Sequence, residues 1–179
     1  RKAQCESIVN QIEEVLKNGG NALDACEAGI KLLENDPTFN AGTGSYLQLD
    51  GKPRMDASIM DSNLNLGAVI QITNVKHPIS VARKLLEKKL HSTLSAEGAL
   101  LFAKEQGFET FNPAIPKQIK SYQENIEKLK GNISYDNIVT DYEVCTSDKL
   151  GTVGCVVRDD SGLIVAGTST GGLRVCYPG

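Results

Sequence analysis

Thr152 is the residue in this chain whose neighbours best suit nucleophilic chemistry. It follows Gly151 and precedes an apolar stretch, and a second hydroxyl-rich stretch ends at Thr170. An internal threonine hydroxyl is a weak nucleophile, because its pKa is far above neutral and it needs an adjacent base. At a chain N-terminus, the free α-amine titrates at about 7.7 to 8.0 and can serve as that base. Thr152 would therefore become reactive if the Gly151–Thr152 bond were cut.

Gly151 suits a peptide bond that is cut when the hydroxyl of the following threonine attacks its carbonyl. Glycine has no Cβ, adopts strained backbone conformations at little cost, and leaves its carbonyl carbon open to the threonine hydroxyl. The same residues are also an ordinary start of a β-strand, and taken alone they favour that simpler interpretation. The choice between a cleavage site and a plain strand rests on the remainder of the chain.

The composition is that of an ordinary globular protein, with 40% hydrophobic and 23% charged residues among 179. This length suits one domain or part of a larger one. The net charge of −3 is spread over well-mixed charges, which argues against a nucleic acid partner. No apolar run approaches the roughly 20 residues of a membrane span, and no signal-peptide pattern is present. We expect a cytoplasmic protein that binds neither nucleic acid nor membrane.

The five cysteines and two histidines lie far apart, without a closely spaced cysteine pair. This spacing argues against a zinc cluster and against a dense disulfide framework. We therefore expect free thiols in a reducing compartment and no cofactor for catalysis.

The elements that must position the two threonines can be predicted from hydrophobic periodicity and from glycine, proline and capping residues. Five helices are predicted, the second capped by Asn21, at 2–17, 22–33, 78–89, 95–106 and 117–130. Strands are predicted in a hairpin over 46–60 that turns at Asp50-Gly51, at 66–73, and at 151–158 and 163–169. Helices grouped against mainly antiparallel hairpins indicate an α+β fold, and the absence of a βαβ alternation argues against a doubly wound sheet.

Two further segments are predicted to have no regular secondary structure. The stretch 39–45 is too rich in small residues for a helix, and its glycines lack the context of a phosphate-binding loop. The stretch 131–148 is polar and aperiodic, which predicts an exposed linker that gives a cleavage site room to move.

Other residues with reactive side chains have simpler explanations. Asp56 and Asp61 stand at the two ends of an apolar strand, where turn or capping roles are more common than a pair of catalytic acids. His77 precedes a proline at a helix start, and His91 follows lysines, so we expect both to be structural or solvated.

Six stretches resemble those of one known family and occur in the family's order. They are NALDA (21–25), LENDPTFNAGTGS (33–45), MDASIMD (55–61), GAV (67–69), GTVG (151–154) and TSTGG (168–172). Together they cover most of the chain. The sequence resembles the N-terminal-nucleophile hydrolases of the plant-type asparaginase group, the isoaspartyl peptidase/L-asparaginases, whose relatives include glycosylasparaginase and the threonine aspartases.

The resemblance implies a four-layer αββα sandwich, incomplete in this chain, made as a precursor that cuts itself between Gly151 and Thr152. Residues 1–151, with the linker at about 131–150, would then be the α-subunit portion of one composite domain. Residues 152–179 would begin the β-subunit, whose remaining segment would be a partner. Two such processed pairs would assemble, as a dimer of α/β pairs or heterotetramer.

The resemblance also implies roles for particular residues. Thr152 corresponds to the nucleophile, and its new amine to the general base. Thr170 corresponds to a second active-site hydroxyl that orients Thr152, while Gly171 and Gly172 shape the pocket. Asn40 corresponds to the loop residue that supports the nucleophile.

A structural sodium ion is implied in the same loop. In the family it is held by backbone carbonyls, and carbonyl oxygens suit a hard cation. The matching positions here are Leu33, Glu34, Asp36, Phe39, Ala41 and Thr43.

The sequence also departs from the family pattern. A His-Gly-Gly strand that opens family members is absent, and the chain stops at Gly179, before an arginine and an aspartate that hold the substrate and a Thr-Gly pair that forms the oxyanion hole. Cys176 stands where lysine is common. Because oxyanion stabilisation is usually a large part of catalysis, we expect this chain alone to be inactive.

The leading hypothesis is hydrolysis of L-asparagine, of β-aspartyl (isoaspartyl) dipeptides, or of both, through a β-aspartyl ester on Thr152. Gly151 favours the isoaspartyl peptidase branch over the glycosylasparaginase and threonine aspartase branches, where aspartate is typical. The alternative is a non-catalytic homologue that acts as a scaffold or partner subunit. An arginine directly after Gly179, then a nearby aspartate, would favour the enzyme.

Overall fold

The computed structural model describes residues 2–129 and 151–178. The predicted linker therefore lies outside the described residues, whereas the Gly151–Thr152 boundary that follows it lies within them. The described helices are α1 (Lys2–Lys17), α2 (Ala22–Asn35), α3 (Pro78–Lys88), α4 (Ala96–Glu105) and α5 (Pro116–Leu129), with a short 3-10 helix at Gly42–Gly44. The described strands are β1 (Met55–Asp61), β2 (Leu66–Ile72), β3 (Thr93–Ser95), β4 (Val153–Arg158) and β5 (Ile164–Thr170).

The five strands form one sheet in the order β3-β2-β1-β5-β4. All neighbours are antiparallel except β2 and β3, which are parallel. The α+β class predicted from the sequence is therefore confirmed, while the short edge strand β3 was not predicted. The pair β4–β5 joins the sheet through β1, so the candidate nucleophile lies at one edge.

One face of the sheet carries the hydrophobic core under the helices. Helix α2 packs on β4 and β5, and α3 packs on β1 and β2. The apolar face predicted for the second helix is buried throughout, at Ala22, Ala25, Cys26, Gly29, Ile30 and Leu33.

Helix α2 begins where the sequence predicted. The Asn21 side chain accepts a hydrogen bond from the Asp24 N–H at 3.0 Å, and the Asp24 carboxylate accepts one from the Asn21 N–H at 2.9 Å. This capping box satisfies two backbone donors that would otherwise lack partners at the helix start.

The predicted hairpin over 46–60 is only partly present. The Asp50-Gly51 turn forms, with the Gly51 N–H donating to the Gln48 carbonyl at 2.8 Å. Its two arms meet only at a single bridge, between Leu47 and Pro53. Proline has no N–H to extend a ladder, so pairing stops there. Strand β1 instead pairs with β2 and β5.

The two strand-end aspartates serve the backbone. The Asp61 carboxylate accepts hydrogen bonds from the N–H groups of Asn63 and Asn65, at 2.9 and 3.0 Å. Asp56 accepts one from the N–H of Gln71 at 2.7 Å. The turn interpretation therefore holds for Asp61, and Asp56 stabilises an irregularity between β1 and β2.

Among the described residues, no helix combines the length and the apolar character needed to cross a membrane.

Gly67 on β2 allows α3 to approach the sheet closely, and a matched pair of alanine variants tests this packing. A Cβ at Gly67 would lie 2.0 Å from the Ala82 carbonyl oxygen and 2.7 Å from the Leu86 nitrogen. Because both atoms are backbone, we expect Gly67→Ala to destabilise the full-length protein by about 3 kcal/mol or more.

The control is Gly98, in α4. It is exposed, with nothing within 4 Å of an added Cβ, so Gly98→Ala should stabilise by about 0.5–1 kcal/mol. Denaturant unfolding measures both variants. Equal effects at the two positions would contradict the packing described here.

Candidate active site

The pairing of β4 with β5 brings Thr152 and Thr170 together. Val153 pairs with Ser169 in the antiparallel register, which places the preceding residue opposite the following one. The Thr152 hydroxyl donates a hydrogen bond to the Thr170 hydroxyl, and the two oxygens are 3.1 Å apart. Thr152 is exposed and Thr170 half-buried, so the candidate nucleophile is accessible while its partner is held.

The Thr170 hydroxyl oxygen has a second donor. The Gly172 N–H lies 3.3 Å from it. Because a hydroxyl oxygen carries two lone pairs, Thr170 can accept from both groups at once. The hydrogen of Thr152 then points towards Thr170, and the lone pairs of its oxygen are left for attack.

Asn40 connects the loop 39–45 to both strands. Its N–H donates to the Gly151 carbonyl oxygen at 3.2 Å, and its own carbonyl accepts from the Gly171 N–H at 2.9 Å. Its side-chain amide donates to the Gly172 carbonyl at 2.6 Å and accepts from the Tyr46 N–H at 3.1 Å. One residue therefore fixes the Gly151 carbonyl and the end of β5 relative to each other.

The contact between Asn40 and Gly151 was not predicted from the sequence. A donor on the Gly151 carbonyl oxygen is placed where negative charge would develop if that carbonyl were attacked. No local pattern identifies this contact, because it depends on the path of the loop in space.

Gly171 is needed for the close approach of this loop. A Cβ there would lie 2.5 Å from both the Asn40 Oδ1 and the Ser45 Cβ. Gly172 has φ of +69°, a left-handed conformation that glycine adopts without strain. At Gly151, by contrast, a Cβ would come no closer than 3.2 Å, to the Asn40 nitrogen.

A cavity of about 220 Å³ is lined in part by Asn40 and Gly151. Its lining includes two cationic side chains, Lys117 from α5 and Arg174 after β5. The Arg174 guanidinium lies over the Tyr46 ring, 4.4 Å from its centroid. None of these three residues was predicted to contribute to the site, because none of them lies in one of the six matching stretches.

Two glycines of the loop predicted to hold a cation lie close to backbone carbonyl oxygens. Gly42 has φ of +52°, and a Cβ there would lie 2.5 Å from the Glu34 carbonyl oxygen. A Cβ at Gly44 would lie 1.8 Å from the Phe39 carbonyl oxygen. Only glycine leaves room for these oxygens.

Three of the six predicted carbonyls already have hydrogen-bond partners in the loop. Those of Leu33, Asp36 and Ala41 accept hydrogen bonds from backbone N–H groups in the same loop, at 3.1 to 3.2 Å. In the part of the chain that the structure describes, no group of three or more cysteine, histidine or acidic side chains could hold a metal. The donor set available in the loop is therefore one of backbone oxygens.

Comparison with known proteins places this geometry in a family. The profile of the family described as "Asparaginase" matches residues 1–179. The chain is 48% identical to a plant-type L-asparaginase of Pyrococcus horikoshii, over 94% of this chain and 55% of the relative. It is 40% identical to an isoaspartyl peptidase/L-asparaginase of Synechocystis, over 92% of this chain and 50% of the relative. An isoaspartyl peptidase of Salmonella typhimurium is 36% identical, over 96% of this chain and 55% of the relative.

The chain thus spans about half the length of the curated relatives it matches. The resemblance found in the sequence is confirmed by a profile that covers every residue and by relatives that align with nearly all of the chain. We conclude that this chain belongs to the asparaginase family.

Proposed function

We propose that the full-length protein is a self-processing threonine amidohydrolase. Its substrates are L-asparagine, β-aspartyl dipeptides, or both. The observation that carries this proposal is the 3.1 Å hydrogen bond between the Thr152 and Thr170 hydroxyls, next to a Gly151 carbonyl that accepts from the Asn40 N–H. Similarity to proteins named plant-type L-asparaginase and isoaspartyl peptidase supports the substrate class.

Self-cleavage begins when the Thr152 hydroxyl oxygen attacks the Gly151 carbonyl carbon. The Asn40 N–H stabilises the developing oxyanion. Collapse of the intermediate breaks the peptide bond as the hydroxyl proton passes to the departing Thr152 nitrogen, which leaves Gly151 esterified to the Thr152 oxygen and the Thr152 amine free. Water then hydrolyses the ester, which gives a Gly151 carboxylate and an N-terminal Thr152.

The same threonine then serves hydrolysis of the substrate. Its free α-amine takes the hydroxyl proton, because the amine pKa of about 7.7 to 8.0 is suited to this transfer near neutral pH. The oxygen attacks the side-chain amide carbon of the substrate, and ammonia or an amino acid leaves with a proton. Water hydrolyses the β-aspartyl ester and restores Thr152. Thr170 keeps the Thr152 oxygen oriented throughout.

Self-cleavage can be tested on the full-length protein by intact mass. We expect wild type to yield a fragment that begins at Thr152, and Thr152→Ala to remain a single chain, because the attacking oxygen is gone. Thr170→Ala should slow cleavage by about 10- to 100-fold, since it removes an orienting group. Thr93→Ala, in the exposed edge strand β3, is the matched control and should cleave like wild type. A wild type that never cleaves would disprove the mechanism.

Substrate choice is tested by assaying processed protein with L-asparagine, a β-aspartyl dipeptide, the isomeric α-aspartyl dipeptide and a glycosylated asparagine. We expect turnover of one or both of the first two compounds. Turnover of the glycosylated compound alone would favour the glycosylasparaginase alternative. Cleaved protein that turns over none of them would favour the non-catalytic scaffold.

We further propose that a second sheet covers the face of this sheet opposite the helices, which completes a four-layer αββα sandwich. That face carries both threonines and a set of exposed apolar side chains, Met60, Ile70, Val156 and Ile164. Val156 is 73% exposed, an unusual state for a valine in the middle of a strand. Apolar patches of this kind mark surfaces that another layer contacts.

Charge placed on this face tests the four-layer proposal. In the full-length protein, Val156→Glu should lower the free energy of unfolding by about 2 kcal/mol or more, because it would bury an unpaired carboxylate. The control is Val9 on α1, which is 51% exposed. Val9→Glu should change the free energy of unfolding by less than about 0.5 kcal/mol. Denaturant unfolding gives both values. An unchanged free energy of unfolding in Val156→Glu would show that the face stays exposed to solvent.

We also propose that the loop over 33–43 binds a sodium ion through backbone carbonyls, at the six positions named above. The fit rests on an all-oxygen donor set, which suits a hard cation, and on Gly42 and Gly44, which leave space for inward carbonyls. The ion would hold the loop that carries Asn40, and it takes no part in bond breaking.

Sodium binding predicts a cation-dependent melting temperature. In the full-length protein, the melting temperature should be higher in sodium than in choline. At a sodium concentration of 100 times Kd, binding should stabilise the folded state by about 2.7 kcal/mol. Thr43→Ala keeps every carbonyl and should keep the effect. Gly44→Ala displaces the Phe39 carbonyl and should abolish it. Identical melting in sodium and choline would rule out the site.

A further inference from the structure

Self-cleavage would create a new negative charge on the wall of a cavity. Gly151 is one of the residues that line the cavity of about 220 Å³, and hydrolysis of the Gly151–Thr152 bond turns the Gly151 carbonyl into a carboxylate. A terminal carboxyl group titrates at about 3.3 to 3.7, so the new chain end is anionic near neutral pH. The other residues of this cavity, called here the Gly151 cavity, are therefore the first that the carboxylate meets.

The charged side chains of the Gly151 cavity are cations. Lys117 and Arg174 line it, and no acidic side chain is among the described residues of its lining. Opposite charges within a few ångströms of each other attract even where water reaches them. The cavity thus has the charge of an anion site, and the anion that the proposed function supplies is the Gly151 carboxylate.

A continuous series of contacts joins Gly151 to Arg174. The Asn40 N–H donates to the Gly151 carbonyl oxygen at 3.2 Å, and the Asn40 side chain accepts from the Tyr46 N–H at 3.1 Å. The Arg174 guanidinium lies 4.4 Å from the centroid of the Tyr46 ring. A guanidinium stacks through its face and binds carboxylates through the N–H groups in its plane, so this stacking orients Arg174 without competing with an anion.

Lys117 reaches the same cavity from the first turn of α5. The Gln118 side-chain amide donates to the Gly44 carbonyl at 3.1 Å, which fixes the start of α5 against the loop that carries Asn40. A cation in the first turn of a helix is unfavourable, because the helix dipole is positive at that end. This turn contains no acidic residue to offset the charge. A residue that costs its own helix stability is expected where the residue serves a site.

We propose that Lys117 and Arg174 form a carboxylate-binding site for Gly151, the chain end that self-cleavage creates. This inference rests on the proposed function, because without cleavage there is no carboxylate. Once the bond to Thr152 is broken, the Gly151 carboxylate can turn into the cavity towards the two cations. The site therefore acts after self-cleavage and takes no part in bond breaking.

A carboxylate held in the cavity leaves the nucleophile accessible to the substrate. In the precursor, the Gly151 carbonyl carbon is the atom that the Thr152 oxygen attacks, so the amide carbon of the substrate must later occupy the same place. An unbound Gly151 carboxylate would stay at high effective concentration there and would compete with the substrate. Loss of the two cations should therefore raise KM and leave kcat unchanged, since the competition affects binding alone.

Carboxypeptidase digestion of the cleaved full-length protein measures how well the new chain end is held. A C-terminus bound in a cavity cannot enter a protease active site, so wild type should be trimmed slowly. Trimming should be about threefold faster in Lys117→Ala, where an exposed cation is lost. It should be about tenfold faster in Arg174→Ala, because a guanidinium can bind a carboxylate through two N–H groups. Mass spectrometry of the fragment that ends at Gly151 follows each reaction.

Two further variants control for the charge and for the helix. Lys117→Arg keeps the cation and should be trimmed within about twofold of the wild-type rate. Lys120 lies in the same helix, 3.9 Å from Glu124 and with its side chain 79% exposed, and it does not line the cavity. Lys120→Ala should therefore keep the wild-type trimming rate and KM. Equal acceleration in Lys120→Ala and Lys117→Ala would overturn the proposal.

Cleavage and trimming are measured separately, which distinguishes this proposal from the proposed function. Wild type that cleaves but is trimmed as fast as Lys117→Ala and Arg174→Ala would overturn the carboxylate site alone. Wild type that never cleaves would overturn the proposed function and the carboxylate site with it. Folded variants that no longer cleave would also overturn the site, because the cations would then act in bond breaking. Lys117 is exposed, so Lys117→Ala should fold, with a free energy of unfolding no lower than that of wild type.

Discussion

The antiparallel register of β4 and β5 is the constraint on which the site depends. It places Thr152 opposite Thr170 at one edge of the sheet, with their oxygens 3.1 Å apart. A slip of β4 by one residue against β5 would turn the Thr152 hydroxyl to the other face of the sheet, away from Thr170. The buried side chains of Val153 and Val157 oppose that slip, because it would move them out of the core. Hydrophobic burial on one face thus fixes the chemistry on the other.

Asn40 adds a second constraint that the register alone does not supply. Strand pairing aligns the two threonines but leaves the Gly151 carbonyl, which precedes β4, without a fixed orientation. The Asn40 N–H donates to that carbonyl, while its side chain and its own carbonyl bind the two glycines after β5. Because Gly171 has no Cβ, the loop can approach closely enough to make these contacts. Gly171 is therefore required by packing around Asn40, and Gly172 by its left-handed backbone conformation.

Much of this fold could be predicted from local patterns in the sequence. The buried face of α2 and its capping box follow from spacing alone, and both are present. Strand β3 was missed because its three residues are too few to show a period, and its parallel pairing with β2 is a long-range contact. Lys117 and Arg174 line the cavity beside Gly151 from segments with no motif. Contacts that depend on tertiary packing have no local signal.

Strand β5 shows how one segment can serve stability and chemistry together. Its residues alternate between a helix-covered face, which contains Ser169, and an open face, which contains Thr170. Adjacent residues of a strand share one backbone, so a displacement imposed on Ser169 is transmitted directly to Thr170. Burial of the apolar side chains on the helix-covered face, such as Val165, therefore also holds the residues of the open face in place.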